Sequence, residues 1–185
     1  MNIQLSDHFT YQKLIRFVLP SIVMMIFTSI YGVVDGLFVS NFVGKTPFAA
    51  VNLIMPFLMM MGCLGFMMGT GGSAIVAMTL GEGKKELANS YFSMMVFATA
   101  AAGILLALVG LAVIRPVSVM LGAQGEMLEN CVIYGQILLP AVPAFMLQNV
   151  FQSFFVTAEK PQLGLAMTVA AGLTNIVLEI GRAHV

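Results

Sequence analysis

Long apolar runs separated by short polar breaks dominate this sequence. The runs cover residues 17–42, 48–80, 88–114 and 131–156, and a fifth run covers residues 162–179. Because a transmembrane helix needs about 20 mostly apolar residues, the pattern predicts four membrane-spanning helices and most of a fifth. The second run is longer than one perpendicular span, so we expect it to tilt, kink or project from the bilayer.

The polar breaks predict which way the helices cross the membrane. Short cytoplasmic loops are enriched in Lys and Arg. A cytoplasmic N-terminus places five cations inside and two outside: Lys13, Arg16, Lys84, Lys85 and Lys160 against Lys45 and Arg115. This asymmetry favours a cytoplasmic N-terminus, and the stretch GEGKKE at residues 81–86 is then most simply a solvated loop.

Composition excludes several classes of protein. The chain has 185 residues, of which 59% are hydrophobic and 9% charged, whereas soluble domains carry about 25% charged residues. The net charge of zero gives no electrostatic reason to expect a nucleic-acid partner. Cys63 and Cys131 lie far apart, and His8 and His184 lie near opposite ends. The sequence therefore predicts an integral membrane protein without a disulfide framework or a zinc cluster.

Asp35 is the least expected residue in the apolar runs, because it carries a charge. It lies past the middle of the first run, in the stretch IYGVVDGLFVSNFVG, and a charge at the membrane centre costs about 2.5–3.5 kcal/mol on insertion scales. A carboxylate in a membrane can bind and release a proton or pair with a cation. The alternative is that Asp35 lies near the outer interface and reaches water.

Other unusual residues of the runs have a structural and a functional interpretation. The glycines of the stretch MGCLGFMMGTGGS predict close helix packing. Tyr134 and Asn149 belong to a set of polar side chains on the fourth run that either hydrogen bond within the bundle or line a cavity. Pro140 and Pro143 predict a kink there, because each removes a backbone donor.

The end of the chain combines a candidate site with an unexpected tail. Asn175 and Glu179 stand one helical turn apart, so they project on the same side. The stretch IGRAHV at residues 180–185 is also the translation of a widely used sequencing-library adapter, whose preceding bases complete a Glu codon. We therefore expect residues 180–185 to be adapter translation, and only the first base of codon 179, which Asp and Glu codons share, to be native. The alternative is a genuine short polar C-terminus.

Taken together, these segments resemble the N-terminal part of a multidrug and toxic compound extrusion (MATE) transporter. The matching stretches occur in family order and cover almost all of residues 10–179: VVDGLFVSNFVG, AAVNLIMPF, GTGGSAIVAMTLGEGKKELAN, YGQILLPAVPAF, QNVFQSFFVTAEKPQLGLAM and GLTNIVLE. The resemblance implies an all-α fold of twelve transmembrane helices in two six-helix lobes. This chain would hold four helices and most of a fifth from the first lobe, with residues 1–179 as its native part.

The resemblance also implies a function and a site. Family members export mostly cationic, amphipathic compounds in exchange for protons or sodium ions and use no other cofactor. Asp35 matches a first-helix Asp that is central to coupling, and Asn175 matches an Asn of the fifth helix. Glu179 stands where the family has Asp, and the three residues would hold a proton or a monovalent cation. Tyr134 and, less closely, Asn149 match polar residues that line the cavity.

The expected setting follows from the same resemblance. We expect a multi-pass protein of the bacterial cytoplasmic membrane, surrounded by lipid and completed by a C-terminal lobe of the same chain. Without that lobe, residues 1–185 should not transport. Small amphipathic cations are the expected substrates.

Three other hypotheses compete with this one. A lipid-linked oligosaccharide flippase of the same superfamily should carry cationic groups in its cavity, and no Lys or Arg lies in the middle of a run. An intramembrane aspartyl protease needs two carboxylates that share a proton, and only Asp35 lies firmly in the membrane, so we predict no enzyme. A small structural membrane protein, complete at 185 residues, would leave Asp35 unpaired and the fifth helix unfinished.

Overall fold

The chain is built from helices. The computed structural model describes residues 11–42 and 45–183, with side chains for all of these except residues 16, 31, 35, 38–42 and 175–183. Within these residues there is no strand, which confirms the predicted all-α class. The helices are α1 (Tyr11–Phe42), α2 (Lys45–Gly81), α3 (Lys85–Met120), α4 (Glu126–Leu138), α5 (Val142–Thr157) and α6 (Pro161–Ala183), with a 3-10 turn at Leu139–Ala141 between α4 and α5.

The apolar runs correspond to membrane-length helices. Four helical segments of the described residues are long and apolar enough to cross a membrane, namely the first part of α1, all of α2, all of α3, and α4 with α5 as one segment. These four spans confirm the prediction. The fifth predicted span corresponds to α6, which is helical from Pro161 to Ala183.

The helices are longer than the apolar runs from which they were predicted. α1 begins at Tyr11 instead of residue 17, α3 covers Lys85–Met120 instead of residues 88–114, and α6 continues past residue 179. Hydropathy marks only the part of a helix that prefers hydrocarbon, and polar residues extend the same helix into the interface. Pro116 does not end α3, because a proline inside a helix removes one donor and can be accommodated by a local kink.

Three helices end in the same turn. After α2, the Gly83 N–H donates to the Leu80 carbonyl at 2.9 Å and the Lys84 N–H donates to the Thr79 carbonyl at 3.2 Å. This Schellman pairing needs a residue with positive φ just after the helix. Gly83 (φ 78°) supplies it after α2, Gly122 (φ 97°) after α3, and Glu159 (φ 59°) after α5.

The chain divides into two compact units. Unit 1 contains α1, α6 and the last turn of α5, and unit 2 contains α2, α3, α4 and α5 as far as Phe154. Unit 2 has two apolar clusters at opposite ends. One includes Ile54, Ile114, Cys131, Leu139 and Met146, and the other consists of Val76, Ala88, Val150 and Phe154 with their half-buried neighbours.

Glycines allow the helices of unit 2 to approach closely, as predicted. A Cβ atom added at Gly65 would lie 2.5 Å from the Met146 Cα, and one added at Gly103 would lie 2.7 Å from the Pro143 Cα. Both contacts converge on the fourth span just after its 3-10 turn, where Pro140 interrupts the α-helix. The structure thus interrupts the α-helix of the fourth span at the position where the two prolines predict a kink.

Candidate functional site

One side of α1 packs against the rest of unit 1. Six of its half-buried residues share one arc of the helix surface: Phe17, Pro20, Ser21, Met24, Phe27 and Val34. The opposite arc is exposed at Met25, Ser29 and Val33, and half-buried at Gly36. An α-helix repeats its direction after about 18 residues, or five turns. Backbone position 35 therefore points in the same direction as Phe17, on the covered arc.

α6 packs against α1 with a matching arc. Gly164 and Gly172 are buried, and Thr168 between them is half-buried. A Cβ atom added at Gly172 would lie 2.6 Å from the Phe27 ring of α1, so the two helices meet directly at this level. Sequence spacing alone does not pair the first helix with the helix after residue 160, and this pairing within unit 1 is what a shared site requires.

Backbone positions 175 and 179 continue the covered arc of α6. Position 179 comes about five turns after Pro161, and position 175 comes about three turns after Gly164, so both repeat the direction of covered residues. The side chains of Asp35, Asn175 and Glu179 lie outside the described part of the structure. Their contacts therefore stay predictions.

Unit 2 holds the other two predicted residues, in separate places. The Asn149 amide donates to the Phe145 carbonyl at 3.0 Å, and the Ser153 hydroxyl donates to the Asn149 carbonyl at 3.1 Å. The Asn149 carbonyl and the Ser153 hydroxyl both lie close to Gly69 of α2. Tyr134 is half-buried beside the apolar cluster of Leu139 and Met146. It precedes Asn149 by 15 positions, or roughly 22 Å of helix, so the two do not contact each other.

Three exposed residues of α2 did not figure among the predicted site residues. Asn52, Cys63 and Thr70 are exposed, whereas the hydroxyls of Thr99 and Ser118 on α3 are fully buried. The sequence shows polar residues in both helices, and only packing reveals which of them point outward. Among the described residues, no group of three or more His, Cys, Asp or Glu side chains could hold a metal ion.

Comparison with known proteins identifies relatives over nearly the whole chain. The model of the MatE family matches residues 20–180. The multidrug export protein MepA of Staphylococcus aureus (strain MRSA252) is 25% identical over 172 residues, which are 91% of this chain and 38% of MepA. MepA of Staphylococcus haemolyticus is 22% identical over 171 residues. The chain thus spans well under half the length of these relatives.

Solved structures of MATE proteins share the fold. Crystal structures of MATE in the straight and in the bent conformation both match with a TM-score of 0.82 and 25% identity. The match covers 89% of this chain and 36% of the straight structure, and 91% of this chain and 38% of the bent one. The described residues therefore share the fold of the corresponding third of those proteins.

Proposed function

Because this chain belongs to the MatE family, a family of multi-pass transporters, we propose that it forms part of the first lobe of an ion-coupled multidrug exporter in the bacterial cytoplasmic membrane. The MepA relatives are named as multidrug export proteins, and they extend well beyond the matched region. Efflux is accordingly a property of the longer protein, which requires its second lobe.

The packing of α1 against α6 is the observation that supports this proposal best. Gly172 meets Phe27, and successive spans joined by short turns cross in alternate directions, so the first and fifth spans are parallel. Measured along the helix axes toward their C-terminal ends, position 35 is then about 12 Å from this contact and position 179 about 11 Å from it, at 1.5 Å per residue. Both positions continue covered arcs, so we expect the carboxylates of Asp35 and Glu179 to share one polar cluster with Asn175.

Such a cluster can couple an ion to transport. A carboxylate among apolar helices is costly when charged, so it binds a proton or a monovalent cation in one state and releases it in another. Coupling requires that the inward- and outward-facing states differ in affinity for that ion. The ion is a proton or sodium, and efflux driven separately by a pH gradient and by a sodium gradient distinguishes them.

The distribution of positive charge supports a cationic substrate and the predicted orientation. Every described Lys and Arg side chain lies near a helix end. Lys84 and Lys85 flank one end of the α2–α3 pair, and Lys45 and Arg115 lie toward the other. Without a cation at membrane depth, these helices do not repel organic cations. A lipid-linked oligosaccharide, whose linkage is anionic, has no matching charge there.

The test is an Asp35→Asn exchange in the full-length exporter. We expect efflux of ethidium from energised cells to fall to the background of cells without the exporter, while membrane insertion stays intact. Asp35→Glu, which keeps the charge, should retain part of the activity. Ser29→Ala is the matched control, because Ser29 lies on the exposed arc of α1 and donates to the Met25 carbonyl at 2.9 Å. Undiminished efflux by Asp35→Asn would refute the coupling role.

A further inference from the structure

The outward face of α3 is apolar over most of its length. The exposed side chains between residues 94 and 114 are all apolar, and they include Ile104 and Leu108. The hydroxyl of Thr99 is fully buried instead. Because polar groups in a membrane favour the protein interior over lipid, this division is typical of a helix that faces lipid. The apolar band of α3 ends at Arg115.

α4 packs beside α3 and carries polar side chains on its outward face. Glu126, Glu129, Ile133 and Gln136 are exposed and follow one another at spacings of three, four and three residues, which return to one side of an α-helix. Arg115 Nη2 lies 2.8 Å from Glu129 Oε1, so this side of α4 adjoins the outward face of α3. We call the surface formed by Arg115 and these four residues of α4 the α3–α4 face.

The polar groups of the α3–α4 face lie at three depths. Gly135 packs against Ile114, so Gln136 is level with the last residues of the apolar band. Along α4, Glu129 and Glu126 lie about 10 and 15 Å closer to water, at 1.5 Å per residue. The guanidinium that pairs with Glu129 lies between, because a basic side chain at the hydrocarbon edge extends toward the headgroups. From hydrocarbon to water, the order is therefore amide, guanidinium and carboxylate.

A glycerophospholipid carries its polar groups in a complementary order. From hydrocarbon to water these groups are the ester carbonyls, the phosphate and, in phosphatidylethanolamine, a primary ammonium group. An amide N–H donates to a carbonyl, a guanidinium binds a phosphate, and a carboxylate accepts from an ammonium group. Two carboxylates beside one guanidinium leave the face negative, so a lipid that brings its own cation fits better than a purely anionic lipid.

We propose that the α3–α4 face binds one phospholipid of the phosphatidylethanolamine type. Gln136 donates to an ester carbonyl, Arg115 holds the phosphate while its pair with Glu129 stays intact, and Glu126 accepts from the ammonium group. The apolar band of α3 contacts the acyl chains. This site depends on membrane insertion and not on the exporter function, and a cytoplasmic N-terminus places it in the outer leaflet.

Lipid chemistry tests the arrangement without any change to the protein. The full-length exporter, delipidated in dodecyl maltoside, is titrated with dioleoyl phosphatidylethanolamine, with its ether-linked analogue or with dioleoyl phosphatidylglycerol, and native mass spectrometry gives the Kd of the first bound lipid. The ether-linked lipid has no carbonyl, and phosphatidylglycerol has no ammonium group. Because each loses one hydrogen-bonded partner, we expect the first to bind about fivefold and the second about tenfold more weakly than phosphatidylethanolamine.

Three variants assign the polar contacts. Gln136→Leu should remove the preference for the ester-linked over the ether-linked lipid, because it deletes the amide that the carbonyl meets. Glu126→Gln should remove the preference for phosphatidylethanolamine over phosphatidylglycerol, because it deletes the charge that the ammonium group meets. Arg115→Gln should weaken the binding of all three lipids about tenfold, because all three carry the phosphate.

Lys45→Gln is the matched control. Lys45 is also exposed and begins α2, at the same end of unit 2. α2 meets α4 where the Cys131 thiol faces the Ala50 carbonyl at 3.5 Å, and Cys131 is about 200° around α4 from Glu129. Loss of Lys45 should therefore change the Kd by less than about twofold, as expected for an exposed charge outside the site.

Each result supports the proposal or overturns it. Preferences for the carbonyl and for the ammonium group that disappear in the matching variants support it. Equal binding of the three lipids by the unchanged protein overturns it, and so do preferences that survive in Gln136→Leu and Glu126→Gln, because the lipid then binds elsewhere. A dimer that persists at saturating lipid means that a second copy covers the face, which also overturns the proposal. None of these measurements requires efflux, so the exporter function can fail independently.

Discussion

The contact between α2 and α5 predicts a large difference between two glycine substitutions on the same helix. A Cβ atom at Gly65 would lie 2.5 Å from the Met146 Cα and 2.7 Å from its Cβ. The nearest atom belongs to the backbone, so a side-chain rotation cannot relieve the clash. Gly71, about two turns further along α2, has nothing within 4 Å of an added Cβ and serves as the matched control.

The magnitude follows from two opposing effects. Overpacking a close-packed site costs about 1–3 kcal/mol, and replacing a helical glycine by alanine gains up to about 1 kcal/mol in helix propensity. The gain is common to both sites. Gly71→Ala should therefore be neutral or slightly stabilising. Gly65→Ala should be less stable than Gly71→Ala by about 2 kcal/mol, which corresponds to a Tm difference of about 4–8 °C for a chain of this size.

Cys131 provides the assay. It is fully buried in unit 2, so in a Cys63→Ser background a fluorogenic maleimide should react with it only when unit 2 unfolds. Melting the two variants in the same detergent gives the Tm difference directly. Equal melting temperatures for Gly65→Ala and Gly71→Ala would show that α2 and α5 do not approach as closely as described, and the packing argument would then be wrong.

Two further substitutions test the helix ends and the surface charges. Gly122→Ala should lower stability by about 1 kcal/mol, or a Tm loss of about 2–4 °C, because φ is 97° at this position; a Tm equal to that of the parent protein would contradict the assigned turn. Glu129→Gln breaks the exposed ion pair in which Arg115 Nη2 lies 2.8 Å from Glu129 Oε1. It should lower stability by less than about 1 kcal/mol, and melting at low and at molar salt should show that the loss disappears as screening increases. A loss that persists at high salt would point to packing instead of charge.

The sequence was sufficient for some features of the fold because single-residue properties determine them. Hydropathy located the four spans, Pro140 located the break in the fourth span, and glycine content indicated close packing on α2. The apolar pattern did not show which helices pack against each other. Lipid and protein interiors are similarly apolar, so a hydrophobic side chain at membrane depth does not reveal whether it faces a helix or the bilayer. The family resemblance implied the pairing of α1 with α6, and the apolar pattern alone did not reveal it.

The same ambiguity limited the prediction of the site. Asp35 stood out because charge is rare in an apolar run, and Asn175 and Glu179 followed from their spacing of one helical turn together with the family resemblance. Thr70 and Thr99 look alike in the sequence, yet Thr70 points outward and Thr99 is fully buried. Which hydroxyl meets substrate or solvent depends on the rotation of each helix about its own axis. Small differences in packing set that rotation, and a single sequence does not encode it visibly.

The apolar band of α3 also sets the bilayer thickness that suits this protein. Ser93 and Arg115 bound the band, and the residues between them span about 30 Å at 1.5 Å per residue, close to the hydrocarbon thickness of an average bilayer. In a bilayer several ångströms thicker, hydrocarbon would reach the Arg115–Glu129 pair unless the lipids thinned locally or the helix bundle changed its tilt. The acyl-chain length of the surrounding lipids is therefore a variable to which unit 2 should respond.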